Sequence, residues 1–143
     1  MTKIVKKPWG EEMWIADGVD MPYALKRIFF KAGNKTSIQV HKLKHETNYV
    51  LSGTGLLMLS DLFLDVDKYH ELTKSDINRY IASMKIIKLN PGDIFHVTPG
   101  HVHRVIAIED LVFMEASSPE LDDVIRLEDD TNRGNGRIES EHE

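Results

Sequence analysis

The chain has 143 residues, 41% of them hydrophobic and 29% charged, a size and balance that suit one domain with a sizeable core. It contains no cysteine, which excludes disulfides, thiolate zinc sites and cysteine nucleophiles together. The net charge is −5, with 15 Lys/Arg against 11 Asp/Glu up to residue 108 and 3 against 12 beyond it. An acidic last third without a basic block argues against a nucleic-acid partner, whose phosphates must be neutralised.

In chain order, the N-terminal lysines are followed by no apolar stretch, so neither a signal peptide nor a membrane span is expected, and a cytoplasmic location follows. Strands are predicted over Pro22 to Ala32, Thr36 to His41, Asn48 to Leu51 and Leu56 to Ser60, punctuated by Gly33-Asn34, Gly53 and Gly55. Residues 61–80 form a polar excursion. Within it, helical spacing of Ile77, Tyr80, Ile81 and Met84 predicts a helix over Thr73 to Met84, with Ser75 as its cap. The strand series resumes at Ile81 to Leu89, Ile94 to Thr98, Val102 to Ile108 and Leu111 to Ala116. Many short strands with glycine and proline punctuation predict an all-β sandwich or barrel. Residues 1–133 read as one domain, and the polar stretch 134–143 as a disordered tail.

Five of the seven histidines fall in two groups, His41 with His45, and His96 with His101 and His103. Gln39 and His41 lie two apart, as do His101 and His103, so on strands each pair shares a face. Glu46 stands just before the next apolar strand. Imidazoles with one carboxylate suit Zn²⁺, Fe²⁺, Mn²⁺ or Co²⁺. Each residue has a plainer reading. His45 and His96 read as structural, Arg126 after Asp122 and Asp123 as a surface ion pair, and Trp9 and Trp14 as core anchors. Lys26 and Arg27 must face opposite sides of their strand, so at most one faces the interior.

The stretch Gly33-(5)-Gln39-Val40-His41-(4)-Glu46-(6)-Gly53 resembles the first cupin motif, and Gly92 to Pro99-Gly100-(2)-His103 resembles the second. Cupins are jelly-roll barrels, in agreement with the strand reading. Within them the chain is similar to type II mannose-6-phosphate isomerases, a domain that also ends the bifunctional mannose-1-phosphate guanylyltransferase/isomerases. The shared pieces are Lys7-Pro8-Trp9-Gly10, Lys26-Arg27-Ile28, Ser37-Ile38-Gln39-Val40-His41, Leu51-Ser52-Gly53-Thr54, His103-Arg104 and Arg126-Leu127-Glu128-Asp129 through Arg133. The resemblance implies a single divalent metal held by Gln39, His41, Glu46 and His103. Zinc stands foremost, with manganese, cobalt, iron or nickel as alternatives. It implies a sugar-phosphate substrate, with Arg126, Arg133 and Lys26 as binding residues. Arg126, His101 and Lys44 become the catalytic candidates, and a homodimer the expected assembly.

The sequence departs from that family at Lys42, Leu43, Lys44 and His45, at Asn48 in place of an aromatic residue, and at Thr131-Asn132 in place of tyrosine and glycine. No glycine-rich nucleotidyltransferase segment is present. Three functions follow: an aldose–ketose isomerase of the mannose 6-phosphate/fructose 6-phosphate type serving polysaccharide or sugar-nucleotide synthesis, a non-catalytic sugar- or sugar-nucleotide-binding cupin favoured by those departures, or an iron-dependent cupin oxygenase.

Overall fold

The computed structural model describes residues 3–120 and 122–128 and the backbone of 136–137. Thr131, Asn132, Arg133 and most of the 134–143 tail lie outside the described residues. Its strands are β1 (Lys3–Lys7), β2 (Gly10–Asp17), β3 (Ala24–Phe30), β4 (Ile38–Val40), β5 (Glu46–Ser52), β6 (Gly55–Phe63), β7 (Met84–Leu89), β8 (Ile94–Val97), β9 (His101–Ala107), β10 (Leu111–Ser117), β11 (Ile125–Glu128) and β12 (Gly136–Arg137). They form two six-stranded sheets. Sheet one has the order β1-β2-β3-β10-β5-β8 and sheet two the order β12-β11-β4-β9-β6-β7. The result is an antiparallel jelly-roll sandwich, the class the glycine-punctuated strands predict.

The strands follow period two, but their inward positions are not uniformly apolar. Along β3 the buried residues run Phe30, Ile28, Lys26; along β5 they run Val50, Asn48, Glu46; along β10, Phe113 is followed by Glu115. On β9, Val105 is followed by His103. One end of the sandwich is therefore hydrocarbon, with Trp9 stacked on Phe30 at 4.1 Å and Phe113 against Phe30 and Phe95. The other end is lined by polar and ionisable groups. That gradient positions the site.

The central strands of sheet two, β11, β4 and β9, are buried on both faces. Ile38, Val40, Val102, Ile125 and Leu127 alternate with the inward Gln39, His103 and Arg126, and they form a second core with Leu64, Val66 and Met84. The segment after β6 covers this outer face. It contains a 3-10 helix at Val66–Glu71 and the helix α1 (Lys74–Ala82), whose Ile77, Tyr80 and Ile81 pack inward beside Tyr69 and Leu72. The polar excursion at 61–80 is thus the roof of sheet two.

Two differences from the sequence reading have simple causes. The helix cap lies two residues before Ser75: Thr73 caps it, and the Asp76 carboxylate accepts from the Thr73 amide, closing a capping box. Strands β1 and β2 escape a hydropathy reading because lysines and glutamates occupy many of their positions. The lysines of β1 sit on a sheet edge, where charge deters further strand pairing.

Candidate metal centre

His41 follows β4, His103 lies on β9, and Glu46 opens β5, so the two imidazoles come from sheet two and the carboxylate from sheet one. All three are buried. The Nε2 atoms of His41 and His103 lie 3.5 and 3.7 Å from the same Glu46 oxygen, Oε1, and the three ligand atoms all fall within 4.8 Å of one another. These spacings exceed a normal N–H···O hydrogen bond. They match a shared ion, since donors about 2.0–2.2 Å from a tetrahedral centre stand roughly 3.4 Å apart.

Hydrogen bonds to backbone carbonyls fix both rings for that task. A carbonyl can only accept, so each contacting ring nitrogen carries the proton. His41 Nδ1 donates to the Asp123 carbonyl at 2.5 Å, and His103 Nδ1 to the His101 carbonyl at 3.0 Å. Both Nε2 atoms are thereby left as lone-pair donors facing Glu46. Burial, reinforced by the neighbouring His41, pushes the His103 imidazole down to about 4, although Glu46 and the backbone bond oppose the shift. It is neutral at physiological pH, as a metal ligand must be. Burial alone would raise the Glu46 carboxyl. The Lys44 ammonium is the foremost influence opposing it, and the group is held well below the ordinary carboxylate range. Two imidazoles and one carboxylate fit a divalent ion of borderline softness.

The loop between His41 and Glu46 owes its shape to Asp123. Its carboxylate accepts the amides of Lys42 (3.0 Å), Leu43 (2.6 Å) and Lys44 (3.0 Å), which draw its pKa down against the opposing effect of burial. Gly100 of the second motif donates its amide to the His41 carbonyl at 2.8 Å, tying the two motifs together.

The triad borders a cavity of about 80 Å³, room for several waters. In-register pairing sets its walls. Across sheet two, Arg126, Gln39, His103 and Leu59 are successive ladder partners, so all four side chains share one face. Across sheet one the matching row is Trp14, Lys26, Glu115, Asn48 and Phe95. Charges on this second wall are paired: Lys44 Nζ is 3.6 Å from Glu115, and Lys26 Nζ is 3.4 Å from Glu12, which also accepts the Trp14 indole N–H at 3.0 Å.

The residues singled out from sequence are thus distributed unevenly. Gln39, His41, Lys44, Glu46 and His103 line the cavity. Lys26 is buried beside it with its ammonium 4.7 Å above the Trp14 ring, whereas Arg27 is exposed. Arg126 is buried next to Gln39. His101 lies apart from the lining residues: its Nδ1 bonds the Ser60 carbonyl, and its ring meets Phe63 edge-on. His96 is exposed and bonds Thr47. Arg133 lies outside the described residues. Sequence reasoning missed Asp123, Glu12 and Glu115. The last two had a signal in their alternation with buried apolar residues, but Asp123 acts on residues 80 positions away and had none.

No family model and no curated protein sequence matches the chain. Solved structures do. CapF from Staphylococcus aureus, a capsular polysaccharide assembling protein, superposes with a TM-score of 0.63 at 16% identity, over 90% of this chain and 32% of that one. An oxalate decarboxylase gives 0.64 at 19% identity, over 87% and 30%. KdgF from Halomonas sp. gives 0.60 at 19% identity, over 86% and 89%. The fold is that of the cupins. The chain spans about a third of the CapF and oxalate decarboxylase chains, and most of KdgF. At one end of the jelly roll the two motifs meet, and the buried His41, Glu46 and His103 form a group that could hold a metal ion.

Proposed function

We propose that the protein is a metal-dependent aldose–ketose isomerase acting on a sugar phosphate of the mannose 6-phosphate/fructose 6-phosphate type. The observation that carries this reading is the juxtaposition of the triad with a lysine–carboxylate pair: Lys44 and Glu115 line the same cavity as His41, Glu46 and His103. The isomerisation moves a proton between adjacent carbons and needs a site for it to rest. Glu115, a carboxylate outside the triad, accepts the carbon-bound proton and returns it to the neighbouring carbon, while Lys44 beside it gives a proton to the carbonyl oxygen and recovers one from the adjacent hydroxyl. Gln39, in register with His103, is the neutral fourth ligand. A divalent ion held there, zinc foremost, supplies Lewis-acid stabilisation for the oxygen on which charge develops. Arg126, on the same face as Gln39, takes the phosphate through its planar fork.

The test is a coupled assay with mannose 6-phosphate and fructose 6-phosphate, run after chelation and again with metal restored. Metal-dependent turnover that disappears in His41→Ala supports the isomerase. Binding of either sugar phosphate without turnover moves the assignment to a non-catalytic sugar-binding cupin, and oxygen uptake with added iron moves it to an oxygenase.

A further inference from the structure

Asn48 is fully buried, at 0% exposure, and lines the cavity from the inward face of β5, two residues from Glu46. Neither its amide nitrogen nor its amide oxygen has a hydrogen-bond partner among the described residues. A buried side-chain amide without partners is costly, and an apolar residue of similar volume would pack there without that cost. No group among the described residues satisfies Asn48, and the side chain lines the cavity, which points to a partner bound there.

The chemistry of that partner can be read from the wall. A primary amide offers two N–H donors beside one carbonyl acceptor, and its complement is a group that gives and takes at once: a hydroxyl, or two hydroxyls on adjacent carbons. The neighbouring row members do not favour an anion here, because Lys26 faces Glu12 and Lys44 faces Glu115, two cations against two carboxylates. On sheet two the cation is Arg126, buried behind the lining residues and in register with Gln39. The two walls therefore divide the labour between charge and hydroxyl recognition.

We infer that Asn48 is the specificity residue of the cavity, its amide reading a pair of neighbouring hydroxyls on the carbon chain of the sugar bound at the metal triad. The inference rests on the sugar-phosphate reading above and adds to it the part of the ligand that faces sheet one. Asn48 does not take part in proton transfer and is not a metal donor.

The experiment compares the zinc-loaded wild type with Asn48→Leu, measuring melting temperature, bound zinc and the calorimetric affinity for mannose 6-phosphate and fructose 6-phosphate. The expected result is unchanged zinc content, a melting temperature equal to or above wild type, and sugar-phosphate affinity at least tenfold weaker, about 1.4 kcal/mol. A lower melting temperature with unchanged affinity overturns the inference, because the amide is then structural. If Asn48→Leu does not fold, Asn48→Ser carries the affinity comparison, with the same tenfold loss expected and unchanged affinity overturning it. Turnover with unaltered affinity in the variant removes this inference and leaves the isomerase standing. Wild-type binding without turnover, weakened in the variant, does the reverse. Failure of the wild type to bind either sugar phosphate removes both.

Discussion

His41 and Asp123 are held together at two levels: the Asp123 carbonyl takes the His41 Nδ1 proton, and the Asp123 carboxylate collects the three amides that follow His41 in the chain. One residue thereby sets the orientation of a metal-facing ring and the path by which the chain reaches Glu46. Asp123→Ala removes the carboxylate and leaves three amides to find water. The backbone carbonyl that holds His41 survives the substitution, so the effect acts through the loop that carries Glu46, and zinc affinity is expected to fall by about 10-fold, the low end for changes around a metal ligand, while the two sheets stay folded. Competition titration against a chromophoric chelator, with circular dichroism alongside, measures both. Wild-type affinity in the variant would show that the loop holds its shape without Asp123.

Glu46→Gln tests the triad itself. The substitution keeps volume but removes the anionic donor on which both imidazoles converge. Zinc binding is expected to fall by more than it does in Asp123→Ala, because a direct donor is lost. Elemental analysis after gel filtration reads the outcome, and a full zinc complement in the variant would rule out the carboxylate as a ligand.

Lys26 gives a pH signature with a definite sign. Burial, aided by the charge on Lys44 and opposed by Glu12, lowers its ammonium from 10.5 to about 8. Between these values the unfolded chain binds the proton and the folded chain does not, so stability rises with pH across that window. Below pH 8 the cost of burying the charged group is fully present. The difference of about 2.5 pKa units corresponds to roughly 3 kcal/mol. Urea unfolding of wild type and Lys26→Met at several pH values between 7.5 and 10.5 isolates this contribution. The wild type should gain on the variant by about that amount as pH rises, and parallel curves would mean that Lys26 titrates normally.

Gly53→Ala probes the backbone that closes the first motif. Gly53 has φ +83°, and a Cβ there would lie 1.9 Å from the Asp110 carbonyl oxygen. The left-handed conformation alone costs about 1–2 kcal/mol for an L-residue, and a clash with backbone cannot be relieved by a side-chain rotation. A loss of more than about 2 kcal/mol is expected in chemical denaturation. A loss below 1 kcal/mol would show that the Asp110 turn moves freely.

Much of the architecture was legible because β3, β8, β9 and β10 are short segments rich in branched or aromatic residues between glycines, prolines and acidic turns. The triad was legible because its members sit at fixed spacings inside two compact motifs. What stayed hidden was non-local or disguised. The grip of Asp123 on residues 42–44 depends on a contact across the fold. Strand β11 lies in an acidic stretch whose apolar residues, Val124, Ile125 and Leu127, are few but all buried. Asn48 stood out only as a departure from an aromatic position, because a polar residue on an inward face acquires meaning once its surroundings are known.

The triad draws its donors from opposite layers of the sandwich. An ion seated there would act as a rivet through the barrel, adding a direct link between the two sheets to the loop and hydrogen bonds that already tie these segments. Occupancy and cohesion then become one variable: at a free-metal level a thousandfold above the dissociation constant, mass action adds about 4 kcal/mol to the folded state. The melting temperature of this protein would serve as a gauge of the metal supply around it, before any substrate arrives.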